Sequence, residues 1–406
     1  MNREELSAYV CSKISQSSKS QNIALMAGTG VGKSKLALDI IRKIDFKDSK
    51  TLILIAERAH KKNWEEEIEK WYPKHIGSIE FFCYASMHKL KNEYDFIIFD
   101  EAHHLNTSIR LGYFGTLVPK LRIFLSATLS YNFLSKLEWY TKDTITKINY
   151  SLQDAIDSGI IQKPEIRLIP LELDNTIATE EIVEAWGNKK LRKKLYCDYN
   201  QAFRLTSKAF KKTNPCVEIH IRCTQAQHYE YLTKKMDYYK RVFEMYRSEI
   251  MKNQWLQYGS RRKRFLGELK TKEAERLVKY VKNKRFICFC TSIEQANELG
   301  GKYAIHSKSD SKALEDFNNF KSNKLFAVNM LQEGMNLKGI EVGIIIQLDG
   351  QKLRFIQRTG RVVRSDFPVQ YILYFKNTRD EEYLKNALED INEEYVKEFK
   401  CKLPTS

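Results

Sequence analysis

Proline is scarce. Seven prolines in 406 residues argue against long disordered linkers. Long apolar runs are also missing, and none approaches the roughly 20 residues that a membrane-spanning helix needs. The start, Met1-Asn2-Arg3-Glu4-Glu5-Leu6, lacks the basic-then-apolar pattern of a signal peptide. Paired cysteines are absent too. Cys11, Cys83, Cys197, Cys216, Cys223, Cys288, Cys290 and Cys401 are scattered with no C-x-x-C pair, which argues against a zinc site and fits a reducing, cytoplasmic setting. Acid is in deficit: 51 acidic residues face 68 basic ones, a net charge of +17. That balance favours a polyanionic partner, most simply nucleic acid, with a solvated lysine-rich surface as the other reading.

What is present is a series of short apolar runs that end in polar motifs. Residues 22–26 form such a run. It leads into Ala27-Gly28-Thr29-Gly30-Val31-Gly32-Lys33-Ser34 and then into residues 36–41, which have helical spacing. Strand, glycine-rich turn, Lys-Ser and helix form a phosphate-binding P-loop. The glycines let the backbone curl so that its N–H groups face phosphate oxygens. The helix N-terminus adds partial positive charge. Lys33 is the cation for the outer phosphates, and Ser34 offers its hydroxyl to Mg²⁺. The nucleotide-binding set is therefore Gly28, Thr29, Gly30, Val31, Gly32, Lys33 and Ser34.

Further apolar runs at 51–56, 79–84, 96–99 and 121–125 alternate with helical stretches, the pattern of one parallel, doubly wound sheet. Each polar motif falls at a strand's C-terminal end, where ligands bind in such sheets. Asp100-Glu101-Ala102-His103 follows the fourth run. Asp100 is expected to hold Mg²⁺ together with Ser34, and Glu101 to orient or deprotonate the attacking water. Ser126-Ala127-Thr128 follows the fifth run.

Residues 175–284 differ in character, being rich in lysine, arginine and tyrosine. Residues 217–223 alternate like one strand, and Thr224 caps a long helix. Tyr229, Leu232, Met236, Tyr239, Phe243, Tyr246 and Ile250 recur as an apolar stripe along it. The expected partner is a helix around Phe265, Leu269, Leu277 and Val281, with residues 259–264 as a basic turn of an internal helical hairpin, an intermolecular coiled coil being the other reading. From 285 the strands return, at 285–290, 302–306, 324–329, 342–347 and 370–375, and residues 381–398 read as an amphipathic helix. Cys288 and Cys290 alternate and share one side of their strand. This second sheet has no P-loop. It does contain Gln357-Arg358-Thr359-Gly360-Arg361-Val362-Val363-Arg364. Arg361 and Arg364 share a face on a helix, and two guanidinium groups together suit a γ-phosphate.

In order and spacing, residues 27–34, 100–103, 126–128 and 357–364 resemble motifs I, II, III and VI of the superfamily 2 DExH (DEAH-box) helicases. Residues 57–64 resemble a divergent motif Ia, without its Pro-Thr-Arg core. Residues 84–90, 286–292 and 328–337 resemble motifs Ib, IV and V, with Asn336 where motif V usually carries an acid. Trp64, the 150–161 passage and the Ser-Ala-Thr context look like the restriction-enzyme-type (ResIII) and Snf2-like branches.

The resemblance implies an α/β chain of two RecA-like parallel-sheet domains with a basic helical insertion. The expected layout is 1–162 for the first domain, 163–284 for a linker strand plus insertion, and 285–406 for the second domain. It implies ATP and Mg²⁺ as cofactors, with Lys33, Asp100, Glu101, Gln357, Arg361 and Arg364 catalytic. His103, Ser126, Thr128, Gly334 and Asn336 would couple the sites. Arg58, Ser86 and Thr291, together with Arg261, Arg262, Lys263 and Arg264 of the insertion, would contact nucleic acid. A structural insertion with a solvated basic turn is the other reading of those last four. The implied activity is ATP-driven translocation on, and unwinding of, nucleic acid. DNA is favoured over RNA, and a monomer in a prokaryotic or phage-infected cytoplasm is expected. The alternatives are a duplex translocase that leaves the strands paired, or the motor subunit of a larger complex. No adenine-reading glutamine motif stands out, so the choice among nucleoside triphosphates stays open.

Overall fold

The computed structural model describes residues 3–16, 21–28, 30–43, 49–72, 79–91, 93–328, 337, 339–348, 368–389 and 391–399. The first sheet is built from β1 (Asn22–Ala27), β2 (Thr51–Ile55), β3 (Ile79–Cys83), β4 (Phe96–Phe99), β5 (Leu121–Ser126) and β6 (Ile145–Tyr150). Its order is β3-β2-β4-β5-β1-β6, and every pairing is parallel. Residues of β2, β4 and β5 are buried at every position. That burial on both faces is why these strands read as unbroken apolar runs rather than alternations. One face packs Leu36, Ile40 and Trp64 from the crossover helices against Ile23, Ile53 and Ile98. The other packs Leu111, Phe114 and Leu137 against Leu52, Phe99 and Phe124.

The next strand, β7 (Glu165–Leu171), leaves this sheet and pairs in parallel with a strand some 200 residues later. It is followed by a three-stranded mixed sheet of β8 (Thr179–Trp186), β9 (Lys193–Cys197) and β10 (Val217–Cys223), in the order β8-β10-β9. The remaining strands are β11 (Phe286–Phe289), β12 (Ala304–Ile305), β13 (Lys324–Ala327), β14 (Val342–Ile345), β15 (Val369–Phe375) and β16 (Val396–Glu398). With β7 they form the second all-parallel sheet, ordered β12-β13-β11-β14-β15-β7-β16. Cys288 and Cys290 are both buried in its core.

Residues 381–398 do not form one helix. The helix is Arg379–Leu388, after which the chain turns and β16 pairs with Ile166, Arg167 and Leu168. The open edge of β7 offers unpaired backbone groups, and β16 satisfies them.

The inserted hairpin also differs from its expected form. Its helices are Gln225–Tyr246 and Glu249–Leu269. Thr224 caps the first helix as expected, in a reciprocal capping box with Gln227. The reversal lies at Arg247, whose φ is 51°, and Gly259 to Arg264 sit inside the second helix. A glycine costs a helix only about 1 kcal/mol. Met236 Sδ lies 3.8 Å from where a Cβ would stand, ordinary van der Waals contact, so the helix passes through this position without strain. Tyr239 stacks on Tyr258 and Phe243 on Trp255, while Tyr246 and Ile250 at the hairpin's end are exposed. Leu277 and Val281 do not pair with the hairpin. With Ala274 they pack into the second sheet's core, Leu277 from the helix Thr271–Tyr280.

The foot of the hairpin is anchored in the second sheet. Gln295 Nε2 donates to the Gly267 carbonyl (2.8 Å) and to Thr271 Oγ1 (2.9 Å). Lys270, wholly buried, lies 2.6 Å from Asp380 Oδ2 and donates to Gln347 Oε1 at 2.7 Å. Gln347 Nε2 in turn donates to Asp380 Oδ1 at 2.6 Å.

Candidate nucleotide-binding active site

Strand order brings three motifs to one edge of the first sheet. Met26 of β1 stands opposite Ser126 at the end of β5, and Phe99, which precedes Asp100, stands opposite Phe124 of β5. The P-loop, Ser126 and Asp100 therefore occupy three successive strand ends. With strands about 4.8 Å apart, β4 lies roughly 10 Å from β1.

In the P-loop, Gly30 (φ 94°) and Gly32 (φ 99°) adopt backbone conformations that other residues rarely tolerate. At Gly28 a Cβ would stand 3.3 Å from the Leu152 Cα, so the loop is tight against the passage after β6. Leu36 N–H donates to the Gly32 carbonyl (3.0 Å), starting the helix Lys33–Lys43. Lys33 Nζ bends back and donates to the Ala27 carbonyl at 3.2 Å. Ser34, half-buried, follows it in the helix's first turn. Thr29 lies outside the described residues.

Asp100 is held from three directions. Its N–H donates to the Leu54 carbonyl (2.9 Å). Its carboxylate Oδ2 accepts the Trp64 indole N–H (2.8 Å), and its carbonyl accepts the Tyr84 hydroxyl (2.8 Å). Glu101 has a left-handed backbone, φ 48° and ψ 58°, a conformation that costs of order 1–3 kcal/mol outside glycine. This strained residue directly follows Asp100. His103 Nδ1 lies 3.5 Å from Glu101 Oε2, and the His103 and His104 rings are 4.5 Å apart. Ser126, fully buried, donates from Oγ to the Thr128 carbonyl (2.9 Å), and Thr128 is exposed.

These donors fit a magnesium–nucleotide. The hydroxyl of Ser34 and the carboxylates of Asp100 and Glu101 are hard oxygen ligands of the kind Mg²⁺ takes. The positive-φ glycines and the bent-back lysine form a loop shaped for phosphate. Gln357, Arg361, Arg364, Gly334 and Asn336 lie outside the described residues.

The residues expected on nucleic acid divide. Arg58 is exposed at the start of the helix Ala59–Trp71, and Ser86 is half-buried in the 3₁₀ turn Tyr84–Lys89. The Thr291 hydroxyl is buried against Gly267, where any side chain would clash with it. Arg261 donates to the Val183 carbonyl and lies 3.5 Å from the buried Glu184. Arg262 is 4% exposed and donates to Thr233 Oγ1. Both arginines thus serve the interior of the inserted domain, because a helix turns them toward β8 and the partner helix. Lys263 is half-buried, and Arg264 is exposed and bonded to Glu268 at 2.7 Å. Burial here also pushes the neighbouring Lys235 amine down to about 8 and His228 down to about 4, Arg261 adding to the latter shift.

Sequence reasoning did not assign Trp64 and Tyr84 as partners of Asp100. For Trp64 the available signal was a large aromatic in a polar, acidic segment, which marks a buried contact but not which group it meets; Tyr84 closes the apolar run of β3 and gives no separate signal.

Residues 3–131 match the family model described as "Type III restriction enzyme, res subunit", and residues 269–366 match "Helicase conserved C-terminal domain". A Methanocaldococcus jannaschii protein named as an ATP-dependent RNA helicase is 31% identical over 96 residues. Those residues are 24% of this chain and 12% of that protein, so the chain spans a small part of its relative. The Pyrococcus furiosus Hef helicase domain aligns with a TM-score of 0.50 at 12% identity, over 94% of this chain and 96% of that one. Saccharomyces cerevisiae Dbp5 bound to RNA and ADP–BeF3 aligns with a TM-score of 0.53 at 11% identity, over 94% and 85%. At such identities the likeness is one of fold, two RecA-like parallel sheets. With one family match on the P-loop sheet and the other on the second sheet, together more than half of the chain, and with the P-loop and acidic motif on one sheet edge, the chain belongs to the superfamily 2 helicases.

Proposed function

We propose that the protein is a nucleic-acid-dependent ATPase that translocates on DNA and separates its strands. The observation that carries this reading is the placing of Lys33, Ser34, Asp100 and Glu101 on one sheet edge, in a chain with a second parallel sheet that has no P-loop. Lys33 would leave the Ala27 carbonyl to neutralise the outer phosphates. Ser34 and Asp100 would hold Mg²⁺, which when bound offsets the charge on the transferred phosphoryl group. Glu101 would orient the attacking water and take its proton. Arg361, Arg364 and Gln357 would complete the site from the second sheet as the lobes close, and His103, Ser126 and Thr128 would relay that closure. Cycles of closing and reopening would step the protein along a strand. Arg58 and Ser86 would hold the sugar–phosphate backbone without reading sequence.

The restriction-enzyme name of the match over 3–131 favours DNA. The archaeal relative's name favours RNA as the second reading. The test is the ATPase rate with single-stranded DNA, duplex DNA, forked DNA and RNA side by side, with strand separation followed on the fork. Stimulation by DNA with separation supports the proposal, and stimulation by duplex without separation makes the protein a translocase. Lys33→Ala should abolish stimulated hydrolysis. Full retention in that variant would refute the assigned site.

A further inference from the structure

We propose that Trp64 and Tyr84 are positioning residues that tie the two segments expected to grip the nucleic-acid backbone to the carboxylate expected to hold the metal. This rests on the reading of Asp100 as a magnesium ligand. Trp64 lies on the helix that Arg58 precedes. Tyr84 opens the 3₁₀ turn that carries Ser86. Both side chains are 2% exposed, so neither touches solvent-borne ligand directly. A buried indole N–H and a buried phenol O–H each need an acceptor, and here both acceptors belong to one residue.

The two bonds act on different parts of Asp100. The Trp64 bond is charge-assisted and fixes the carboxylate's rotation through Oδ2, so that Asp100 would meet a metal's water shell in one orientation. The Tyr84 bond fixes the Asp100 carbonyl, at the peptide that leads into the left-handed Glu101. A movement of the Ala59–Trp71 helix or of the Tyr84–Lys89 turn, as Arg58 or Ser86 takes up a phosphate backbone, therefore moves a hydrogen-bond donor on the metal carboxylate. Linkage makes the effect reciprocal: metal bound at Asp100 alters affinity for the backbone by the same factor. The competing account is ordinary core packing, in which the two rings fill space and their polar atoms merely find the nearest acceptor.

The experiment removes one hydrogen bond at a time and keeps an aromatic ring at each position: Tyr84→Phe, which loses only the hydroxyl, and Trp64→Phe, which also gives up the volume of the second ring. Two binding quantities are read. One is the Mg²⁺ concentration for half-maximal binding of a fluorescent ADP, with Mn²⁺ binding followed by electron paramagnetic resonance as a direct metal probe. The other is the factor by which single-stranded DNA or RNA tightens that binding. Trp64→Phe should raise the half-saturating Mg²⁺ about tenfold, the worth of one hydrogen bond to a charged group. In both variants the coupling factor should fall toward one. Thermal midpoints report on packing separately. Wild-type Mg²⁺ dependence and coupling in both variants would overturn the proposal, whether or not the melting point falls. If the unsubstituted protein binds the ADP with no Mg²⁺ dependence, the metal reading fails and this proposal with it. If that dependence is present and the variants match it, only the tether fails.

Discussion

Replacing Lys270 by methionine removes a cation that has no contact with water. Its side chain is 0% exposed and that of its partner Asp380 is 1% exposed. Burial pushes the lysine's pKa below its ordinary range, and Asp380 pulls it back up. The pair is completed by Gln347, which accepts from Lys270 and donates to Asp380, and by the Phe375 N–H, which donates to Asp380 Oδ2 at 3.1 Å. Methionine preserves most of the volume, so the loss is electrostatic. Asp380 is left as an uncompensated buried charge, and breaking one side of such a pair costs about 3–5 kcal/mol. Neutralising the other side as well should restore much of that cost, since a buried ion pair is often worth little against neutral groups of similar shape. Asp380→Asn keeps an acceptor for Phe375. The double variant Lys270→Met/Asp380→Asn is therefore expected to be more stable than Lys270→Met alone, by about 2 kcal/mol. Because a chain with two sheets and an insertion need not unfold in one step, the assay is native-state hydrogen exchange at amides of β14 and β15. A loss below 1 kcal/mol in Lys270→Met, or a double variant no better than the single, would refute the reasoning. Gln347 lies two residues past β14, in the stretch that leads in sequence toward Arg361 and Arg364, the residues proposed to complete the nucleotide site.

His228 gives a pH signature. Its folded pKa of about 4 lies below the ordinary 6.5, burial and Arg261 being the causes, with Glu181 3.6 Å away. The unfolded chain takes the proton first as pH falls, so the inserted domain is fully stabilised above pH 6.5 and loses about 3 kcal/mol as pH falls to 4. His228→Gln should abolish that slope in the exchange protection of β10, and an unchanged slope would show that another group carries it. Gly267→Ala should destabilise the foot of the hairpin, because the new Cβ would overlap the Thr291 side chain. Calorimetry should show a melting point several degrees lower, partly restored by Thr291→Ala, and an unshifted transition would mean that the two segments are not packed as described.

The centre of the first sheet was legible because β1, β2, β4 and β5 are buried almost throughout and each ends in its motif, whereas β6, half-exposed, was not foreseen. Residues 22–27, 51–55, 96–99 and 121–126 need no partner to be recognised as strands, and chemistry that follows a strand directly is ordered by the chain itself. The features that were not legible depend on partners far away in sequence. β7 reads locally as a connecting strand, yet Arg167 on it donates to the Tyr371 hydroxyl, 204 residues later. The hairpin's reversal was misplaced because Gly-Ser-Arg-Arg-Lys-Arg has the composition of a turn. The actual reversal at Tyr246-Arg247-Ser248 contains neither glycine nor proline, and Arg247 pays the left-handed strain itself. What decides is packing: aromatic pairs between the two helices outweigh the local turn preference of Gly259.

That same displacement changes what the basic stretch can be asked to do. As an exposed turn, residues 261–264 would have been four equivalent phosphate contacts. Inside the helix, Arg261 bonds the Val183 carbonyl and faces Glu184, and Arg262 is buried beside Thr233. Neutralising all four would take from Glu184 one of its two cations, leaving Lys211, and would strip the buried Arg262 contact to Thr233, so a weakened affinity would mix disturbed folding with lost phosphate contacts. Under the proposed function, the salt dependence of nucleic-acid binding is expected from exposed cations instead, among them Arg58, Lys61 and Lys62 around Trp64. The charge of +17 that pointed to a polyanion is thus divided between structure and surface, and only the burial of each residue tells which.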